Sequence, residues 1–571
     1  MKRGRIKTGR IKTSIKLFIV MMCLSACSKY GANHKDIVEK THQEAMIEAS
    51  NDTYAYRQEL NIPEDKYQTY YEVFLYSYCD SDGDGIGDIN GLISKLDYIN
   101  DGDPNTDTDL GFTGIWLMPV MQSTTYHKYD VVDYYSVDKE YGTLEDFKNL
   151  MAECDKRGIK VIIDLVINHT SSQNTWFQSA IKSLEITPCG KDICTERTLC
   201  REHNPYCNYY NFTEELPLSG KYYPVSVQNW YYEGDFWSEM PDLNLSDGNL
   251  RKELEKVMSF WLDLGVGGFR LDAAKHFFPN NTEKNNEVLH WVSEYVKSYD
   301  EQNYLVAEVW AGLSEYVQYY QSGIDSIFNF AFATEDGMIT KTLNYKGEEY
   351  SGQAFGKAMK NVQEKILANN PQGIDAPFLT NHDTSRGAGY FRQDADKIKM
   401  AAAMNLFMSG NVFVYYGEEI GMSGSGKDEN KRAPMYWSTT NPLEMTVGPS
   451  NMEEINHKFG TVEDQIKDPL SIYQYYKNAI RIRNENPEIA RGIITIMPDV
   501  TESEICAITK TYEDSSIVML YNCSKEERTV TVSKDKYKYE GIRGYLTTNG
   551  QEIILDGETL SLPGYSVVIL K

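Results

Sequence analysis

The residues best suited to chemistry in this chain lie in short apolar runs that end in carboxylates. In Gly267-Gly268-Phe269-Arg270-Leu271-Asp272, strand alternation points Arg270 and Asp272 to the same side. A guanidinium beside a carboxylate favours the ionised form, which a nucleophile or electrostatic stabiliser needs; the plainer alternative is a structural ion pair at a strand end. In Tyr304-Leu305-Val306-Ala307-Glu308-Val309-Trp310, Glu308 is enclosed by apolar neighbours, so desolvation should raise its pKa toward that of a general acid. Asp383 closes Phe378-Leu379-Thr380-Asn381-His382-Asp383, and Asp164-Leu165-Val166-Ile167-Asn168-His169 brings a further histidine. Carboxyl groups held in opposite protonation states, with His169 and His382 beside them, make a set for acid-base and nucleophilic catalysis.

These groups can meet only if the runs are parallel neighbours. Strand-like runs recur at 73–76, 114–118, 160–166, 268–271, 304–307, 326–328, 376–379 and 412–415, most of them followed by a helical pattern. That alternation predicts a parallel (β/α)8 barrel of the TIM type, whose functional residues sit at the strands' C-terminal ends. Each candidate does follow such a run. After the first comes Asp80-Ser81-Asp82-Gly83-Asp84-Gly85-Ile86-Gly87-Asp88, whose Asp80, Asp82, Asp84 and Asp88 could curl around Ca2+ with the Ile86 carbonyl completing the oxygen shell. After the second comes Tyr129, a candidate stacking platform for a ring.

Beyond His169, about 75 residues pass before the next barrel helix, too many for a simple loop. Residues 169–245 therefore read as an inserted, cysteine-rich domain. Cys189, Cys194, Cys200 and Cys207 read there as two disulfides of unassigned pairing, with a structural zinc site as the alternative. Cys506 and Cys523 suggest a hairpin bridge. The barrel is assigned to 67–168 and 246–486, and the alternating runs of 487–571 to an antiparallel β-sandwich.

The formal net charge of −26 disfavours nucleic acid and anionic membrane surfaces as partners. The 42 tyrosines suit sugar rings, and ordinary cores as well. Near the N-terminus a basic segment precedes an apolar run at 17–24, too short to span a bilayer, so 1–27 reads as a signal peptide. It ends Leu24-Ser25-Ala26-Cys27, which resembles the bacterial lipobox and implies lipidation of Cys27. Residues 28–66 then read as a polar tether. The expectation is an exported, membrane-anchored lipoprotein of a bacterium, at the cell surface or facing the periplasm, monomeric and touching the membrane through its lipid alone.

The segments "DLVINH", "MPDLN", "GFRLDAAKH", "LVAEVW" and "FLTNHD", in that order, resemble the signature of glycoside hydrolase family thirteen, the α-amylase family. The resemblance implies a retaining mechanism with Asp272 as nucleophile, Glu308 as acid and base, and Asp383 as the third carboxylate, the first two carboxyls lying about 5–5.5 Å apart. It makes Arg270 the orienter of Asp272, gives substrate contacts to Tyr129, His169 and His382, and places Lys275 and His276 on the leaving-group side. The Lys-His pair tilts the expected action toward internal α-1,4 bonds of starch and maltodextrins. Neopullulanase, α-glucosidase or glucan transferase action on the same scaffold stays open, as does a non-catalytic glucan-binding role. The Asp80–Asp88 loop matches the family's calcium loop, and a second calcium would map onto Asn168, Asp242 and the His276 carbonyl.

Overall fold

The computed structural model describes residues 65–571 except 196–197, 226–228, 346 and 501. The expected signal peptide, Cys27 and residues 28–64 of the tether lie outside them. The tether's last expected residue is already fastened down: Lys66 pairs with Asp325 at 3.0 Å and its carbonyl accepts from Asn411.

Eight parallel strands, β1 (Thr69–Val73), β2 (Gly114–Leu117), β3 (Lys160–Leu165), β4 (Gly268–Leu271), β5 (Tyr304–Ala307), β6 (Ser326–Asn329), β7 (Ala376–Pro377) and β8 (Val412–Tyr415), pair in the order β7-β6-β5-β4-β3-β2-β1-β8. A parallel bridge from Phe378 to Phe413 joins the two ends and closes the barrel. Apart from Lys160 at the start of β3, every strand residue is buried, as expected of strands covered on both faces. Tyr70, Trp116, Ile162, Tyr304, Phe328 and Phe413 fill the interior, with the Tyr70 ring stacked between Tyr304 and Phe413.

The outer layer includes α1 (Leu144–Lys156), α2 (Gly248–Asp263), α3 (Thr282–Tyr299), α4 (Gly352–Asn369), α5 (Ala395–Leu406) and α6 (Ile472–Glu485). Each starts after a Thr, Asp, Asn or Ser whose side chain accepts an N–H of the first turn, which satisfies donors the helix cannot.

The first strand differs from expectation. It covers Thr69–Val73, and the chain then turns through a 3-10 segment at Leu75–Ser77 instead of continuing to Tyr76. Glu72 hid the strand's start, because a charge in a fully buried strand requires a partner that sequence spacing does not show. That partner is His382, at 2.6 Å.

Between β3 and α2, the insertion carries a helix at Thr175–Leu184 and a small sheet in which Tyr231–Glu233 lies between Phe212–Thr213 and Tyr222–Pro224. Antiparallel bridges His169↔Asp242 and Tyr210↔Leu243 close its neck. The expected disulfides are absent: all eight described cysteines are free. In the insertion, Cys207 faces the Ala180 carbonyl while the other three cysteines gather around His203. At the other expected bridge, strand register sets Cys506 opposite Tyr521, and the Cys523 N–H bonds to Glu504, so the two thiols are out of register.

After α6 a five-stranded antiparallel sheet packs on a three-stranded one. Val518, Leu520, Val568 and Leu570 of the first meet Val530, Leu560 and Leu562 of the second. Buried Lys510 ties this sandwich to the barrel by donating to the Phe407 carbonyl at 2.9 Å. Among the described residues, no helix is long and apolar enough to cross a membrane.

Gly268 opens β4 at φ +141°, where a Cβ would lie 1.9 Å from the Tyr304 carbonyl oxygen. A side chain here must push β4 and β5 apart. Gly268→Ala should lower stability by about 3 kcal/mol or more, seen as a drop in melting temperature or loss of soluble protein. A wild-type melt would refute the steric account.

Candidate active site

Register places the central cation. Asp164 of β3 and Val306 of β5 stand opposite Arg270 of β4, whose side chain is fully buried at the barrel's C-terminal end. One of its terminal nitrogens, Nη1, contacts Asp164 Oδ1 and Asp272 Oδ1, each at 2.6 Å, and the other, Nη2, contacts Glu308 Oε2. Asp272 and Glu308 thus hang from the two arms of one guanidinium. Asp164 is further held by the Trp116 indole N–H and the Tyr129 hydroxyl, both at 3.1 Å. The Asp272 and Glu308 side chains keep 11% and 12% exposure against none for Arg270, so the carboxyls face the opening and the cation lies beneath them.

The same floor holds a second cation. Burial alone would lower the pKa of His382, but Asp383 and Glu72 outweigh it and raise it to about 9. The protonated ring donates Nδ1–H to Glu72 at 2.6 Å and presents Nε2 to Asp383 at 3.0 Å. Arg432 takes the other Asp383 oxygen at 2.8 Å. Burial would raise Asp383, yet these cations hold it well below the usual carboxylate range. Glu308 moves the opposite way. Burial raises it to about 7 against the pull of Arg270, with the charges of Asp272 and Asp383 adding to the rise.

Tyr129 packs parallel to His382, and its hydroxyl oxygen accepts from Nε2–H at 2.7 Å. His169 is buried, which lowers its pKa and keeps the ring neutral, and its Nε2 has no hydrogen-bond partner among the described residues. At the rim, Lys275 pairs with Glu315 at 2.8 Å, and His276 Nδ1 meets Asp235 of the insertion at 2.6 Å. Every expected catalytic and sugar-contacting residue therefore lies at the C-terminal end of the barrel or on its rim.

Sequence reading missed several members of this site. Asp164 and Glu72 carried a usable signal, a charge inside an apolar strand run. Arg432, which also donates to the Tyr126 hydroxyl at 2.9 Å, carried none, because it arrives from a loop beyond β8. Trp310 is half exposed, stacks on Phe330 at 5.0 Å, and lines a groove that reaches Asp383.

In the acidic loop, carboxylate oxygens of Asp80, Asp82 and Asp88 converge within 4.8 Å of one another. Asp84 is not part of this convergence, and its carboxylate accepts the Ile86 N–H at 2.7 Å. Hard oxygen donors brought together in this way fit a calcium ion.

A (β/α)8 barrel with carboxyls converging at the ends of its fourth, fifth and seventh strands, one of them raised toward neutrality, has the frame of a glycoside hydrolase. Residues 72–492 match the family model described as alpha amylase, catalytic domain. The chain is 35% identical to Alpha-amylase 3 of Dictyoglomus thermophilum, over 83% of this chain and 88% of that protein. It is 27% identical to an Oligo-1,6-glucosidase of Parageobacillus thermoglucosidasius, over 80% and 90%. Among solved structures, Eubacterium rectale Amy13B superposes with a TM-score of 0.84 at 44% identity, covering 92% of this chain and 98% of that one. The chain belongs to the α-amylase family of glycoside hydrolases.

Arg270→Lys keeps the charge but cannot bridge Asp164, Asp272 and Glu308 at once. Turnover should fall by at least about 100-fold, while circular dichroism shows a retained fold. Wild-type turnover in a folded variant would show that the bridging geometry is not needed.

Proposed function

We propose that this enzyme hydrolyses internal α-1,4-glucosidic bonds of starch and maltodextrins with retention of configuration. The observation that carries this reading is the suspension of Asp272 and Glu308 from one guanidinium, with Glu308 raised to about 7. In the first step Asp272 attacks the anomeric carbon as a carboxylate while Glu308 gives its proton to the departing glycosidic oxygen. This leaves a glycosyl ester on Asp272. In the second step Glu308, now a carboxylate, takes a proton from water, whose oxygen attacks the same carbon from the opposite face and releases Asp272. Two inversions retain the configuration. Asp383, ionised between His382 and Arg432, accepts hydrogen bonds from sugar hydroxyls and favours the distorted, positively charged transition state. His169 Nε2 and Tyr129 line the same sugar.

Lys275 and His276 project from the rim just beyond the nucleophile, and they support action on α-1,4 chains that continue past the cleaved bond. The Oligo-1,6-glucosidase relative keeps α-1,6 action open as a second reading. A timed product profile decides between them. Mixed maltooligosaccharides from amylose, with isomaltose left intact, are expected, and release of glucose alone from chain ends would overturn the endo reading.

Glu308 must be protonated in the first step, and its raised pKa leaves it so below about 7. Accordingly kcat/KM should fall as pH rises through about 7. Glu308→Gln should lower turnover by about 10²–10⁴-fold and remove that limb. Unchanged activity in this variant would refute the assigned acid.

Asp80, Asp82 and Asp88 would hold calcium as a structural ion that fastens the loop after β1, with no part in bond cleavage. Calcium at about a hundred times its dissociation constant should stabilise the chelated protein by about 2.7 kcal/mol. Asp80→Asn should abolish that response in a thermal melt, and a melt indifferent to calcium would exclude the site. The sequence Leu24-Ser25-Ala26-Cys27 supports a bacterial lipid anchor, and loss of membrane fractionation in Cys27→Ser is the expected sign.

A further inference from the structure

The cysteine-rich loop of the insertion has a ligand set of its own. The Sγ atoms of Cys189, Cys194 and Cys200 and a ring nitrogen of His203 all lie within 4.8 Å of one another. His203 Nδ1 is 3.2 Å from Cys200 Sγ and 3.6 Å from Cys189 Sγ. Zinc bonds of about 2.3 Å to sulfur and 2.0–2.1 Å to nitrogen would separate tetrahedral donors by about 3.5–3.8 Å. Sulfur atoms in a disulfide are about 2.05 Å apart, and no pair here is joined. An odd number of thiols around one imidazole also cannot be a pair of bridges, since the fourth cysteine, Cys207, lies elsewhere against the Ala180 carbonyl.

The backbone presets this cluster. The N–H groups of His203 and Asn204 both bond to the Cys200 carbonyl at 3.0 Å, so one turn presents Cys200 and His203 together. Asn204 then locks the turn to the Thr175–Leu184 helix, donating to Ser183 Oγ at 2.8 Å and to the Ser179 carbonyl at 3.1 Å. Ser183 Oγ in turn holds the Leu199 carbonyl at 2.8 Å. Cys200 is buried, and the other three donors are half-exposed to solvent, from which an ion can enter.

We propose that Cys189, Cys194, Cys200 and His203 bind one zinc ion that fastens the loop of the insertion. Soft thiolates with an imidazole select zinc over calcium or magnesium, and four protein ligands leave no open position, so the site is structural. The loop from 189 to 203 has no helix or strand among its described residues and buries little apolar surface, so a metal supplies the cross-link that a core would otherwise provide.

The test is metal analysis of the purified full chain together with a thiol count. About one zinc per chain is expected, and all eight cysteines from Cys79 to Cys523 should titrate as free thiols after denaturation with chelator and without reductant. Cys194→Ser and Cys200→Ser should each lower bound zinc at least about fivefold, while Cys207→Ser retains it. Cobalt substitution should give thiolate charge-transfer absorption with tetrahedral d–d bands in the wild type. Zinc-free wild-type protein that gains a pair of thiols on reduction would overturn the proposal in favour of a disulfide. Undiminished zinc in Cys200→Ser would place the metal elsewhere. The wild-type measurements decide the matter even if a serine variant fails to fold.

Discussion

A guanidinium sealed inside a barrel cannot be neutralised by losing its proton, so the structure around it must supply anions. Arg270 is that group, and it collects Asp164, Asp272 and Glu308 from three adjacent strands. With His382 and Arg432 the floor has three cations, and with Glu72 and Asp383 it has five carboxyl groups. Burial is the main reason one of them, Glu308, keeps a proton near neutrality, and the excess of carboxyls adds to it. Glu308 is suited to that role because it is deeply desolvated and feels Asp272 and Asp383 together. The protonation of Glu308 thus depends on its burial and on the charges of the whole floor. Removing a cation would alter every carboxyl that shares it.

The register of the central strands is fixed by the same requirement. Asp164 stands directly opposite Arg270, and a slip of one residue would turn one of the pair out of the barrel. Tertiary electrostatics and secondary structure therefore select the same arrangement, and the rigid barrel gives that arrangement its precision.

Much of this was legible in the sequence because barrel strands are apolar throughout and their ends are marked by carboxylates and histidines. Asp272, Glu308, Asp383, His169 and His382 could be placed on one mouth from spacing alone, and so could the inserted domain from its length. The legibility failed where a side chain's meaning depends on a distant partner. Glu72 concealed the start of β1 until His382 accounted for it, and Arg432 comes from irregular chain with no periodicity to read. The cysteines failed for a related reason. Their spacing in a polar loop reads first as a disulfide staple, and it is the turn that sets His203 beside Cys200 that supports the proposed metal cluster instead.

The rim is built differently from the floor. The end of β3 reaches the end of β4 through the insertion: Asn168 donates to Asp242 at 3.4 Å, Asp242 accepts the Asp235 N–H at 2.9 Å, and Asp235 holds His276 at 2.6 Å. Phe236, next along, packs against both His169 and His276. The "MPDLN" stretch is therefore a strut that sets where His276 stands. The floor faces the sugar that carries the anomeric carbon, and the proposed chemistry there involves that carbon and the departing oxygen, which α-1,4 and α-1,6 bonds share. On the proposed reading, linkage choice resides where the leaving sugar lies, beside Lys275, which Glu315 braces, and His276, which Asp235 braces. On that reading the insertion takes part in selecting substrate, through the position it gives Asp235 and Phe236 beside His276.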